Sequence, residues 1–240
     1  MNRLALDVVR PSGTTPFVFE PRRMINAGYV GRDQAAVRHH IEELRREGVA
    51  PPSSVPMLFP MLLSNVTTSS RIEVVEARTS GEIEFVLLVE GGRVLVGIGS
   101  DHTDRSLETA DVLKSKQACP NVMGRAVWDY EDVRDHWDLL LLQSSVRSSS
   151  ADNWTPYQSA TVASILTPEQ ILDLVRARLS DQCLDQTIIF SGTIPLLDGK
   201  MSCGSEFHCA LVDPVLQRSL HCIYEVVHLN YLLPEPLPAK

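Results

Sequence analysis

The sequence contains no CxxC pair, no run near the roughly 20 apolar residues needed to span a bilayer, and no excess of positive charge. Its five cysteines, Cys119, Cys183, Cys203, Cys209 and Cys222, are an odd number without paired spacing, which argues against both a disulfide framework and a thiolate zinc centre. With 22 Lys and Arg against 30 Asp and Glu, the chain lacks the clustered cations a nucleic-acid surface needs to displace counterions from phosphates. The densest basic run, Arg38 to Arg46, is interrupted by Glu42 and Glu43 and reads as a solvated helix face. The amino terminus has no apolar core of signal-peptide length, so a cytoplasmic, membrane-free protein is expected. No G-x-S-x-G elbow, P-loop or dinucleotide fingerprint occurs, which removes the common serine-hydrolase and nucleotide-binding readings.

What remains is a chain of 240 residues that is 44% apolar, enough for a substantial core. Short β-rich segments punctuated by turn residues dominate it. Leu4 to Val9 and Thr15 to Phe19, around Pro11-Ser12-Gly13, form an expected hairpin. Further strands are expected at Ile72 to Val75, Glu82 to Val89, Arg93 to Gly97, Asp138 to Gln143, Thr187 to Phe190, Phe207 to Val212 and Ser219 to Val227. Helices are expected from Asp33, as N-cap, to about Glu47; from Asp104 to about Lys114; and from Thr167 to about Leu179, where Thr167-Pro168-Glu169 gives a cap, a proline at the first position and early acid. The Ser- and Asn-rich stretch Ser144 to Ser159 reads as a surface loop. His208 and His221, on alternating strands, read as structural.

The most informative segment is Glu82-Ile83-Glu84, which opens an apolar strand. Side chains of a strand alternate, so the two glutamates share one face while Ile83, Phe85 and Leu87 enter a core on the other. Asp101 follows the Gly-rich segment Gly97-Ile98-Gly99-Ser100, read as a turn. Three carboxylates within about twenty residues suggest hard-oxygen ligands for Mg²⁺ or Mn²⁺. Asp104 is the alternative third ligand.

Several segments together resemble the fumarylacetoacetate hydrolase superfamily, over roughly residues 28 to 228, and most nearly a small-protein branch of it catalogued as a domain of unknown function. Glu82-Ile83-Glu84 matches that family's metal-binding E-x-E, and Asp101-His102-Thr103-Asp104-Arg105 is similar to its D-x-[ST]-x-R-D segment. Lys114-Ser115-Lys116, shortly before Pro120, answers a site lysine; Lys116 is preferred over Lys114. Phe190 to Pro195 answers a strand ending in G-T-P, and Gly204 to Val227 the closing strand pair. Val30-Gly31-Arg32-Asp33 leads to His40-Ile41-Glu42-Glu43, similar to a His-x-x-Glu dyad.

The resemblance implies a β-rich α+β fold, a distorted β-roll of mixed sheets with few helices. It divides the chain into an amino-terminal unit with a lid-like helix (1–50) and a catalytic unit (51–240). It implies Glu82, Glu84 and Asp101 as metal ligands, His40, Glu43 and Lys116 as catalytic residues, and Arg32, Gly192 and Thr193 as substrate contacts. The expected activity is Mg²⁺- or Mn²⁺-dependent hydrolysis of a carbon–carbon bond in a small β-dicarbonyl or 2-oxo acid by a homodimer. A decarboxylase or hydratase using the same site, or a binding module without turnover, are the alternatives.

Overall fold

The computed structural model describes residues 3–46 and 51–232; the side chains of His40, Glu43 and Leu44 lie outside what it describes. The chain runs β1 (Leu4–Arg10), β2 (Gly13–Phe19), β3 (Arg23–Gly28), α1 (Gln34–Arg46), β4 (Met57–Met61), β5 (Val66–Thr67), β6 (Arg71–Val74), β7 (Thr79–Ser80), β8 (Ile83–Glu90) and β9 (Arg93–Asp101). It continues through β10 (Thr103–Asp104), α2 (Arg105–Glu108), α3 (Val112–Gln117), β11 (Asn121–Met123), β12 (Ala126–Asp129), β13 (Leu141–Arg147) and β14 (Thr155–Thr161). The last elements are α4 (Pro168–Arg178), β15 (Thr187–Phe190), β16 (Glu206–Asp213) and β17 (Arg218–His228).

Ten strands form a mixed sheet in the order β2-β1-β12-β9-β8-β15-β3-β4, with β11 also pairing β9 and β5 pairing β11. Pairs β1–β12 and β15–β3 are parallel, while β8–β9 and β15–β8 are antiparallel. A second sheet of five strands has the order β14-β13-β16-β17-β6, and β10 pairs with β7. The architecture is thus β-rich with mixed sheets and few helices, as the resemblance implied. Strands β1 and β3, from the expected amino-terminal unit, pair directly with β12 and β15 of the expected catalytic unit.

Strand β8 is central, and its alternation feeds two cores. Ile83, Phe85 and Leu87 pack toward the five-stranded sheet with Leu142, Phe207, Leu211 and Tyr224. Val86 and Leu88 belong to a separate cluster with Phe19, Met24, Phe59 and Phe190 on the opposite face. A strand buried on both faces has to be nearly continuously apolar, which the run Phe85 to Val89 satisfies.

Four local readings are corrected by the fold. Ser144 to Ser159 is no loop: β13 and β14 pair antiparallel across it, and β13 also pairs with β16. Its polar residues mislead because Ser144 and Gln158 are buried and hydrogen-bonded to each other, at 3.1 Å. Gly97 and Gly99 are not in a turn but inside β9; a Cβ on Gly99 would meet Val122 O at 2.6 Å and the Phe190 ring at 2.8 Å. The reversal between β8 and β9 is made instead by Gly91 and Gly92, with φ of 58° and 79°, the positive values that a two-residue hairpin loop uses. The helix expected from Asp104 to Lys114 is two helices, α2 and α3, because Asp104 and Asp111 each cap a separate start. The strand expected from Asp138 begins only at Leu141, after a 3₁₀ segment over Arg134–Leu139.

The other helices start as expected. Asp33 Oδ1 accepts from the N–H groups of Ala35 and Ala36 at the head of α1. Thr167 and Gln170 form a reciprocal capping box on α4, which buries Ile171, Leu172 and Val175.

Candidate metal and ligand site

The β8–β9 hairpin assembles the acidic cluster. Its register pairs Glu90 with Arg93 and Glu84 with Gly99, and continues beyond β8 to set Glu82 opposite Asp101, whose backbones exchange hydrogen bonds of 3.2 and 3.0 Å. Glu82, Glu84 and Asp101 each offer an oxygen within 4.8 Å of the others, the one such carboxylate-rich group among the described residues. Glu84 and Asp101 are buried and Glu82 retains slight exposure. Asp104 is spent as a helix cap, accepting from Ser106 and Leu107 N–H at 2.9 Å each.

Among the described residues, two cations meet this cluster. Lys116, buried on α3, places Nζ against Asp101 in a short contact and at 3.4 Å from Glu82. Lys114 is exposed and pairs with Asp111 at 3.1 Å, so geometry separates the two lysines. Buried Arg105 holds Glu82 at 3.0 Å and Glu108 at 2.9 Å. Burial opposes ionisation of Glu82, but Lys116 and Arg105 together hold its carboxyl down at about 2. Burial, then repulsion from Asp101, raises Glu84 well above the ordinary carboxylate value. Burial likewise raises Asp101, with Lys116 opposing.

Among the described residues, Glu82, Glu84, Asp101 and Glu108 set four carboxylates against two cations, a formal excess of two negative charges when all four are ionised, which burial opposes at Glu84 and Asp101. All the ligating atoms are hard oxygens. Both features fit a divalent ion of the Mg²⁺ or Mn²⁺ type, which would bring the local charge to zero.

The substrate side was expected to include Gly192 and Thr193. Gly192, at φ 88°, donates its N–H to Glu84 Oε2 at 2.9 Å. Thr193 Oγ1 donates to Ile83 O at 2.9 Å and accepts from Gln158 Nε2 at 2.8 Å. Both groups are therefore engaged in holding the acidic strand. Arg32 makes a two-pronged pair with Asp138, at 2.5 and 2.8 Å, and its Nε bonds Ile165 O; among the described residues no hydrogen bond or ion pair joins it to the cluster. His40 and Glu43 fall on α1 one helical turn apart, but their side chains are outside the described ones.

Sequence reasoning gave no role to Asn26, Asn121, Gln158 or Tyr29. Asn121 lies directly opposite Asp101 in β11 and donates to its Oδ1 at 3.2 Å. Behind Asp101, buried His102 contacts Tyr224 at 3.0 Å and Thr79 at 2.8 Å; burial lowers its imidazole to about 3, so it is a neutral bracing group. The register of the Gly91-Gly92 hairpin was the one local signal that could have placed Asp101 across from Glu82.

A family model described as "Protein of unknown function (DUF2848)" matches residues 27–224. The chain belongs to the DUF2848 family. No curated protein matches it. Among solved structures, the protein Cg1458 is similar with a TM-score of 0.62 at 14% identity, covering 95% of this chain and 100% of its own. A fumarylacetoacetate hydrolase from Exiguobacterium antarcticum gives 0.60 at 17% identity, covering 91% of this chain and 83% of that one. A 2-keto-3-deoxy-D-arabinonate dehydratase complexed with magnesium and 2,5-dioxopentanoate gives 0.57 at 15% identity, covering 92% and 78%. The DUF2848 chain therefore shares the fumarylacetoacetate hydrolase fold. Among the described residues no helix is long and apolar enough to cross a membrane.

Proposed function

We propose that this protein is a Mg²⁺- or Mn²⁺-dependent enzyme that hydrolyses a carbon–carbon bond in a small β-dicarbonyl or 2-oxo acid. The observation that carries the reading is the meeting of Glu82, Glu84 and Asp101 beside Lys116, with more carboxylates than cations in the buried cluster. A divalent cation bound there would supply an electrophilic centre for a keto oxygen. Lys116 stays protonated: burial opposes its charge, but Asp101, Glu82 and Glu84 outweigh burial and raise its pKa. It would then pair with a substrate carboxylate. Gly192 and Thr193 would keep Glu84 and the Ile83 backbone in register with the ligand. His40, oriented by Glu43, would take the proton from the attacking water.

A lyase acting through the same carboxylates is the second reading. Its support is the comparable fold similarity to a dehydratase whose structure holds magnesium and a dioxo acid. A homodimer belongs to both readings.

The test is calorimetric titration with Mn²⁺ of the parent, Glu82→Ala and Glu84→Ala, followed by assay of acylpyruvates for pyruvate release and of oxaloacetate for decarboxylation. Binding by the parent alone, with hydrolysis, is the expected result. A folded parent that takes up no Mn²⁺ would overturn the enzyme reading in favour of a binding module. Metal-dependent decarboxylation without hydrolysis would select the lyase.

A further inference from the structure

The turn at the end of β3 carries a residue that neither the acidic motif nor its cations account for. Tyr29 has φ 57°, in the left-handed region that a bulky aromatic residue avoids. The turn is pinned on both sides of it. The Val30 carbonyl accepts from Leu166 N–H at 3.0 Å, and Arg32 N–H donates to Ser164 O at 2.9 Å. A Cβ at Gly192 would meet Val30 Cγ2 at 2.6 Å and Ala27 O at 2.9 Å, so the turn is seated directly on the glycine whose N–H holds Glu84. Strain of this kind persists where surrounding structure enforces it, and it clusters at ligand sites.

The Tyr29 side chain is half-buried, and it lies within electrostatic reach of Lys116, Glu108 and Glu82. Among the described residues its hydroxyl makes no hydrogen bond, whereas Gly192 N–H and Thr193 Oγ1 are committed to protein oxygens and Lys116 spends two of its three donors on Asp101 and Glu82. Burial raises its phenol above the ordinary value, so at neutral pH the group is a donor. Three residues earlier, in β3, Asn26 is fully buried with its amide turned toward the Asp101 carboxylate, and its Oδ1 has no hydrogen-bond partner; Asn121 Oδ1 is also unpartnered. Buried amide atoms left unpaired are costly, and a polar ligand at the cluster would relieve that cost.

We propose that the end of β3 is the ligand-recognition wall of this site, with the Tyr29 hydroxyl donating to a carboxylate or keto oxygen of the bound oxo acid and the Asn26 amide facing the same ligand at depth. The inference rests on the proposed function, because it takes the acidic cluster as the place where a metal-chelating oxo acid binds. It goes beyond that reading in naming a recognition residue outside all the matched motifs.

The test uses oxalate as the probe, titrated into the Mn²⁺-loaded full-length parent, Tyr29→Phe and Tyr29→Gly, with Mn²⁺ affinity and thermal stability measured on the same samples. Tyr29→Phe should bind Mn²⁺ within about twofold of the parent and oxalate at least tenfold more weakly, the scale of a lost hydrogen bond to a charged group. Tyr29→Gly, which removes the strained backbone, should lose oxalate binding while melting no lower than the parent. A residue with only a structural role would give the reverse, lower stability with oxalate affinity kept. A parent that binds no Mn²⁺, or no oxalate once Mn²⁺ is bound, overturns the proposed function and this inference with it. A parent that binds both, matched within twofold by Tyr29→Phe, overturns this inference alone.

Discussion

Gln158 Oε1 accepts a hydrogen bond of 3.1 Å from the backbone N–H of Ile83, the residue between the two site glutamates. The same amide donates through Nε2 to Thr193 Oγ1 at 2.8 Å and to Ile194 O at 2.6 Å. One buried side chain from the five-stranded sheet thereby ties the acidic strand of the large sheet to the turn that supports Glu84.

Gln158→Leu is expected to lower stability by about 2–4 kcal/mol, because several buried partners lose their hydrogen bonds together. Urea unfolding checks this. Gln158→Glu keeps the acceptor for Ile83 but loses the amide donor, and it should also weaken Mn²⁺ by bringing a fifth carboxyl near the cluster and displacing the Gly192-Thr193 turn.

Glu84→Gln should raise the melting temperature of metal-free protein by a few degrees, since it relieves the burial and repulsion that push this carboxyl up, while Gly192 N–H keeps an acceptor. With Mn²⁺ the order should reverse. The parent gains stability from the ion, and Glu84→Gln gains little. Thermal melts with and without Mn²⁺ decide the matter, and a variant less stable than the parent in both conditions contradicts it.

Lys116→Met should destabilise metal-free protein by about 3–5 kcal/mol, because it leaves Asp101 and Glu82 facing each other without their shared cation. Mn²⁺ should recover much of that loss. Oxalate, judged on the Mn²⁺-loaded variant, should weaken by about 1.5–3 kcal/mol through the lost charge-assisted contact. Lys114→Met, at an exposed position, should stay within about 0.5 kcal/mol of the parent in stability.

Asp129 accepts from Arg93 Nε at 2.5 Å and Arg10 Nε at 2.7 Å, joining β12 to β9 and to the hairpin strand β1. The Arg93 hydrogen bond, with help from Arg10, lowers its carboxyl. With the folded pKa below the unfolded one, the contribution is fully present above the unfolded value of about 3.9 and is lost as pH falls through the folded value. Asp129→Asn should therefore cost on the order of 1 kcal/mol at neutral pH, given partial solvent screening, and the gap to the parent should narrow toward pH 2. Urea midpoints across that range test the sign; a gap that widens in acid rules it out.

Local chemistry made part of the protein legible before any fold was known. Helix starts were readable at Asp33 and Thr167 because a cap is a contact within three residues. Strand identity and facing were readable for Glu82-Ile83-Glu84 because alternation belongs to a single strand. Polar composition misled at Ser144 to Ser159, where hydroxyl and amide groups satisfy one another inside the molecule. Composition reports polarity and does not report where a polar group finds its partner.

By itself the sequence determined the β-rich class, the carboxylate pair on one strand face, and the absence of nucleotide, disulfide and thiolate-metal motifs. Only the tertiary structure decided that Asp101 stands opposite Glu82, that Lys116 and not Lys114 meets the carboxylates, that Arg105 and Asn121 bond them, and that Gln158 braces their strand. The physical reason is one of range. Caps, turns and alternation are fixed by neighbours a few residues away, whereas the charge and hydrogen-bond balance of a buried site is summed over strands more than a hundred residues apart. Glu84 and Gly192 are such a pair, joined at 2.9 Å across a separation of 108 positions.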